Sequence, residues 1–131
     1  MSNLTEECLF CNKKKQNIIY STKFIYVVRD SFPVTKYHSL IIPHRHTSNF
    51  FDLNNEELKD LSETLKKERE SLLNLDKEIT GFNVGVNAGV DAGQSIMHCH
   101  IHLIPRRKGD VEDPRGGVRG VIPEKQKYKR K

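Results

Sequence analysis

Three histidines at alternate positions, in the run His98-Cys99-His100-Ile101-His102, are the residues of this 131-residue chain best suited to chemistry. Histidine fills only 6 of the 131 positions, so composition alone does not account for such a row. In an extended segment, residues two apart share a face and lie roughly 6.6 Å from one another. The three imidazoles then line one short surface, backed by the apolar side chains of Cys99, Ile101 and Leu103. An imidazole titrates near about pH 6.5, so at neutral pH it is mostly uncharged. Its free ring nitrogen is then a nucleophile toward phosphorus that needs no separate base. A neighbouring imidazolium can stabilise charge on phosphate oxygens or protonate a departing group. Phosphoryl or nucleotidyl transfer is one reading of the row; a metal site and an inert surface patch are the others.

Two further groups of residues bear on the choice. Gly93-Gln94-Ser95 lies on the loop feeding the histidine segment and offers an amide, a hydroxyl and backbone N–H groups suited to phosphate oxygens. Asn87 ends the preceding alternating run and reaches the same end of the sheet. Near the N-terminus, Cys8-x-x-Cys11 has zinc-ligand spacing. A structural zinc needs two more ligands, and His38, His44, His46 and His98 are all available; spacing alone does not choose between them. The cysteine count is odd (Cys8, Cys11 and Cys99), which argues against a disulfide framework and for a reducing, cytoplasmic setting.

The elements that must position these residues read as follows. Ile18–Tyr20 and Phe24–Val28 are β-branched and aromatic runs, two short strands or one hairpin. Asp30-Ser31-Phe32-Pro33 has turn character. His38–Ile42 is a third strand, expected to end at Pro43. One long helix is expected from a cap at Asp52 or Asn54 to about Leu75, with Glu56 and Glu57 in its first turn and Leu58, Leu61, Leu65 and Leu72 as its core-facing stripe. Phe82, Val84 and Val86 then alternate with Asn83, Gly85 and Asn87. Alternation resumes from Met97 to Ile104, with Met97, Cys99, Ile101 and Leu103 on one face and the histidines on the other, and Pro105 is expected to close the strand. The pattern predicts an α+β fold, an antiparallel sheet with one long helix packed on it, and a largely irregular C-terminal tail. We expect one domain over residues 1–107, with 108–131 a basic extension of the same unit.

At 15.2 kDa and 36% hydrophobic residues the chain can bury one core and not two. No run approaches the roughly 18 apolar residues of a membrane span. The opening MSNLTEECLF lacks the pattern of a secretory signal. Net charge is +5, but Lys125, Lys127, Lys129, Arg130 and Lys131 carry it; without them 17 basic face 17 acidic residues. A neutral body is poorly matched to a nucleic-acid backbone, so neither nucleic acid nor membrane is an expected partner. The basic end reads as a solvated tail.

With Gly93 through Ile104 in view, the chain resembles the histidine triad (HIT) family, whose motif His-φ-His-φ-His-φ-φ (φ apolar) is met at every position. Cys8-Leu9-Phe10-Cys11 is similar to the N-terminal motif of zinc-carrying members, and Asp30–Pro33 with His38–His46 follows the family's middle block. The resemblance covers about residues 8–107. It implies a nucleotide hydrolase or transferase acting at an α-phosphate. His100 would be the nucleophile and form a nucleotidyl-histidine intermediate. His102 would bind phosphate oxygens, and His38 would be a fourth active-site histidine. Gln94 and Ser95 would hold the α-phosphate and leaving-group side, with Asn87 nearby. Asp30 would bind the ribose hydroxyls, and Phe10 and Leu9 would border the base. The implied structural zinc ligands are Cys8, Cys11, His46 and His98, which leaves His44 as a surface residue. No organic cofactor is implied, and the mechanism needs no further metal. The implied partner is a small-molecule nucleotide, and the implied assembly a homodimer. Dinucleoside polyphosphates such as diadenosine tetraphosphate are the first substrate expectation, with Arg106, Arg107 and Lys108 as candidates to favour a long polyphosphate. Conjugates of AMP with amines are the alternative substrates. A non-catalytic nucleotide-binding scaffold and a zinc-stabilised module are the rival classes. Pro114-Arg115-Gly116-Gly117-Val118-Arg119 lies outside the resemblance and receives no role from it.

Overall fold

Asn54 starts the long helix α1 (Asn55–Leu75) in the computed structural model, which describes residues 7–128. Its side-chain oxygen accepts the Glu57 N–H at 2.9 Å, and the Glu57 carboxylate accepts the Asn54 N–H at 2.9 Å. This reciprocal box satisfies two donors that helical bonding leaves free. The buried stripe differs from the expected row of leucines. Leu61 and Leu72 are buried, but Leu58 and Leu65 are only partly so, and Glu57, Thr64 and Glu68 complete the buried face. Burial of the two carboxylates is tolerable because Arg45 meets Glu57 and Arg29 meets Glu68.

Five strands form one antiparallel sheet: β1 (Ile18–Ser21), β2 (Ile25–Arg29), β3 (Ser39–Pro43), β4 (Ile79–Val86) and β5 (Ile101–Arg107), in the spatial order β1-β2-β3-β5-β4. β1 and β2 are the expected hairpin. One face carries Ile25, Val27, Ile41, Cys99 and Ile101 against Leu53 and Leu61 of the helical layer. Leu72, Ile79 and Leu103 extend this core. On the opposite face Phe10 covers Tyr26, Val28, Leu40 and Ile42.

Pro43 ends β3 as expected, whereas Pro105, expected to close its strand, lies inside β5. N–H and C=O of a strand residue point to the same side. The Pro105 carbonyl accepts the Thr35 hydroxyl at 2.6 Å, on the side where β3 has already ended at Ser39 opposite Leu103. The Pro43 carbonyl accepts the His98 ring Nε2–H at 2.8 Å, beyond the last β3–β5 pair, Ile41 and Ile101. Neither missing N–H faces a ladder. Pro43 also explains why β5 starts at Ile101 and not at Met97. With the β3 ladder over, His98–His100 runs on beside the following loop, where Cys99 N–H donates to the Thr47 carbonyl at 2.7 Å. The alternation of faces survives without the ladder, since Cys99 stays buried, but Met97 is 42% exposed and leaves the apolar row.

Residues 108–128 contain no strand, as expected, yet they are built in place. Short 3-10 turns at Gly117–Val121 and Pro123–Lys125 fold back toward β4. Gly116 has φ +89°, and a Cβ there would lie 1.9 Å from the Gln126 carbonyl oxygen. The close packing of these two segments therefore requires glycine. Lys129, Arg130 and Lys131 of the expected basic tail, and the first six residues of the opening segment, lie outside the described residues. No helix among the described residues is long and apolar enough to cross a membrane.

Candidate active site

Val34 N–H donates to His38 Nδ1 at 3.0 Å, which fixes that nitrogen as an acceptor and leaves the proton of the neutral ring on Nε2. His38 Nε2 lies 2.9 Å from His102 Nδ1 and so donates to it. His102 in turn carries its proton on Nε2. One backbone amide thus sets the tautomers of two rings in series, and the second presents an N–H donor. Burial lowers the pKa of His38, opposed by Asp30, whose Oδ2 lies 3.5 Å from Nε2. Burial, reinforced by His100 and His38, pushes His102 down to about 4. Both rings are therefore neutral at neutral pH, as the tautomer series requires.

His100 Nδ1 lies 2.7 Å from the His98 carbonyl and can only donate to it, so its Nε2 keeps a lone pair. The His100 ring packs edge-on against His102 at 5.3 Å between centroids and against Phe10 at 5.0 Å. Phe10 is 3% exposed and Leu9 47%, so of the two only Phe10 meets the histidines. Asp30 accepts the Phe32 N–H at 2.8 Å with one oxygen and faces His38 with the other. Gln94 is buried: its amide oxygen accepts Gly89 N–H, and its amide nitrogen donates to the carbonyls of Ser48 and Ile96. This side chain braces the loop on which Ser95 is exposed. Asn87 sits close to Gly93, whose φ of +99° turns that loop. Asn87, His38 and His102 line an open cleft of ≈ 840 Å³ that is also lined by Val118 and Val121 of the C-terminal extension.

The third histidine of the row does something else. His98 Nε2–H is committed to the Pro43 carbonyl, so Nδ1 carries the lone pair. That atom lies 3.4 Å from Cys8 Sγ, 3.5 Å from Cys11 Sγ and 3.2 Å from His46 Nδ1, and Cys11 Sγ lies 3.2 Å from His46 Nδ1. A tetrahedron with bonds of about 2.3 Å to sulfur and about 2.0–2.1 Å to nitrogen has edges of roughly 3.3–3.8 Å. The four donors approximate those edges, and the Pro43 carbonyl is the outer partner that orients a ligating imidazole. Burial pushes His98 down to about 4, which keeps its lone pair free. Burial and the adjacent Cys8 push Cys11 up to about 11, a charge problem that a dication resolves. The donor set fits zinc. Asp30, His38 and His102 also converge, but they do not fit: His38 could ligate through Nε2 only by protonating Nδ1, which already accepts the Val34 N–H.

Several functional partners had no local signal in the sequence. The amide of Val34 is one. Tyr37, with the sole positive φ (+75°) outside glycine among the described residues, is another. His44 is also not the free surface residue expected: Nε2 donates to the Thr22 carbonyl at 3.0 Å, and Nδ1 is buried. Arg106 is taken by Asp110 and Asn83, and Arg107 by Asp76 and the Lys36 carbonyl. Only Lys108 of that basic run stays exposed and unassigned to such a brace.

Comparison with known proteins bears on the family and the fold. Residues 12–109 match the HIT domain. The asymmetrical bis(5'-nucleosyl)-tetraphosphatase of Schizosaccharomyces pombe is 33% identical over 96 residues, 73% of this chain and 52% of that protein. A zinc-bound histidine triad family protein from Mycobacterium smegmatis superposes with a TM-score of 0.74 at 26% identity, covering 83% of this chain and 81% of the other. The diadenosine triphosphate hydrolase of Plasmodium falciparum superposes with a TM-score of 0.69 at 28% identity, covering 76% and 67%. The chain belongs to the HIT domain family.

Proposed function

We propose that this protein hydrolyses a nucleotide at its α-phosphate through a nucleotidyl-histidine intermediate on His100. The carrying observation is the His100 ring, anchored through Nδ1–H on the His98 carbonyl so that Nε2 keeps its lone pair beside His102. Nε2 attacks the α-phosphorus, a P–N bond forms, and the bond to the leaving group breaks. The His102 Nε2–H, set by the tautomer series, donates to a phosphate oxygen as charge develops. Water then cleaves the P–N bond and releases the nucleoside monophosphate. Asp30, on the turn beside His38, is assigned to the ribose hydroxyls, and Ser95 with Asn87 to the phosphate and leaving-group side. Gln94 acts here by holding the loop. A zinc ion held by Cys8, Cys11, His46 and His98 would supply no bond-breaking chemistry; it ties the N-terminal segment to the catalytic segment.

Dinucleoside polyphosphates, such as diadenosine tetraphosphate, are the proposed substrates, in line with the activities named for the fission yeast and Plasmodium relatives. One observation favours a second reading, conjugates of AMP with amines: Arg106 and Arg107, the residues that might have received a long polyphosphate, are already paired. Incubation with each substrate class carrying a labelled AMP moiety, followed by denaturation without acid, tests the scheme. Label should appear on the wild-type chain and be lost in His100→Ala, which keeps its zinc and its nucleotide affinity. Turnover by His100→Ala, or the absence of any adduct in rapidly quenched wild type, would favour the scaffold reading.

A further inference from the structure

Tyr37 directly precedes His38 and holds φ +75°, a left-handed conformation that a bulky L-residue rarely adopts. Strain of this kind persists only where the surroundings over-determine it, and here they do. The Ser39 hydroxyl donates to the Tyr37 carbonyl at 2.8 Å. That hydroxyl accepts from Arg29 Nη1 at 2.9 Å, and Arg29 is anchored on the buried Glu68 of α1. The Arg29 guanidinium lies over the Tyr37 ring at 5.6 Å, and the ring packs toward Leu72, Ile79 and Leu103 on the helix side of the sheet. The next residue, His38, turns to the opposite side, where its ring lines the cleft. The residues leading into Tyr37 are tied to β5, Thr35 by donating to the Pro105 carbonyl and Lys36 by its carbonyl accepting from Arg107.

We infer that Tyr37, latched by Ser39, Arg29 and Glu68, is a positioning residue that aims the His38 ring between the Val34 amide and His102. This rests on the hydrolase reading for its effect on turnover, though not for its effect on the rings. Tyr37 and His38 lie on opposite faces, as successive residues of extended backbone also do; what the left-handed turn adds is a backbone that doubles back far enough for Val34 N–H to reach His38 Nδ1. An extended residue at 37 would carry His38 away from that amide. The series would then lose its fixed tautomers, and His102 its obligatory Nε2–H.

The test compares Tyr37→Val, Tyr37→Gly and Ser39→Ala, with zinc content and circular dichroism checked first. Valine resists the left-handed region, and glycine enters it freely. Tyr37→Val should lower kcat by about tenfold or more, with KM changed by less than about twofold, the pattern of a misplaced group and not of lost binding. Tyr37→Gly should restore most of the wild-type kcat, and Ser39→Ala should fall between them. Nitrogen-15 NMR of the histidine side chains reads the rings directly. Wild type and Tyr37→Gly should show His38 and His102 each protonated on Nε2 alone, and Tyr37→Val should show mixed tautomers. Unchanged tautomers in a folded Tyr37→Val overturn the proposal whatever the activity. If the tautomers shift as expected but the wild type turns over no nucleotide, the positioning role stands and the hydrolase reading falls.

Discussion

Arg45 meets Glu57 through two hydrogen bonds, Nε to Oε2 at 3.0 Å and Nη2 to Oε1 at 2.8 Å, one residue before His46 of the metal cluster. The same carboxylate closes the capping box with Asn54. One buried side chain, 2% exposed, therefore starts α1 and holds the loop that carries His46 of the cluster that fits zinc. Removing it strands the Arg45 guanidinium and opens the box. Because Arg45 is half-exposed, the loss should fall below the full cost of breaking a buried pair, at about 2–3 kcal/mol for Glu57→Ala. Zinc affinity should fall by roughly 10–100-fold, as for the loss of an outer-shell support. Urea unfolding and chelator competition measure the two effects, and wild-type values in both would deny the link.

The lowered pKa values of His38 and His102 make stability depend on pH in a fixed direction. Unfolded, each ring takes up a proton near about pH 6.5; folded, His102 holds out until about 4. Between those values the unfolded chain binds more protons, so stability is complete above about pH 6.5 and declines as the pH falls toward 4. Melting temperatures should drop from pH 6.5 to 5, a window above most carboxylate titration. His102→Asn should flatten the slope. A wild-type profile level across that window would show that the rings are charged in the folded protein.

What could be read from the chain, and what could not, divides along locality. The helix start at Asn54, the β1–β2 hairpin and the opposition of Cys99, Ile101 and Leu103 to the three histidines all follow from residues within a few positions of each other. Placing Pro105 inside β5 required knowing that the β3 ladder stops at Ser39 opposite Leu103, before it reaches Pro105, which alternation does not reveal. The burial of Glu57 and Glu68 has no local signal, because Arg45 and Arg29, the partners that permit it, are remote in sequence. The division of labour within the triad was open on spacing alone. In three dimensions the carbonyls of Pro43 and His98, acceptors that side-chain patterns do not display, orient the two rings differently, His98 toward Cys8 and Cys11 and His100 beside His102.

Zinc removal should loosen one part of the molecule selectively. Cys8 and Cys11 belong to the segment that lays Phe10 over Tyr26, Val28, Leu40 and Ile42 and against the His100 ring. Chelation leaves the four side chains with no ion to join them, and Cys11→Ser leaves two imidazoles and one thiol. Amide hydrogen exchange should accelerate in residues 8–16 and around His98, while α1 keeps its protection. One zinc per chain should be lost, and His100→Ala should lose none. Uniform acceleration across the sheet would mean that the metal holds the whole fold and not this segment alone.

The C-terminal extension offers a separate check on how the cleft is walled. Gln126 reaches the Arg115 carbonyl with its side chain at 3.1 Å, and its own backbone carbonyl occupies the space a Gly116 Cβ would need. Gly116→Ala meets both an unfavourable φ and a contact with backbone, which cannot swing aside. The extension should detach while the sheet and α1 remain, since residues 12–109 already contain the HIT domain. Arg115 and Arg119 are already exposed; once the backbone around them is released to fit a protease, trypsin cleavage there should quicken on the order of tenfold, the equivalent of about 1.4 kcal/mol in the opening equilibrium. The melting temperature of the remaining domain should shift little. If the variant instead unfolds as a whole, the extension is part of the cooperative core, and its part of the cleft is as rigid as the sheet.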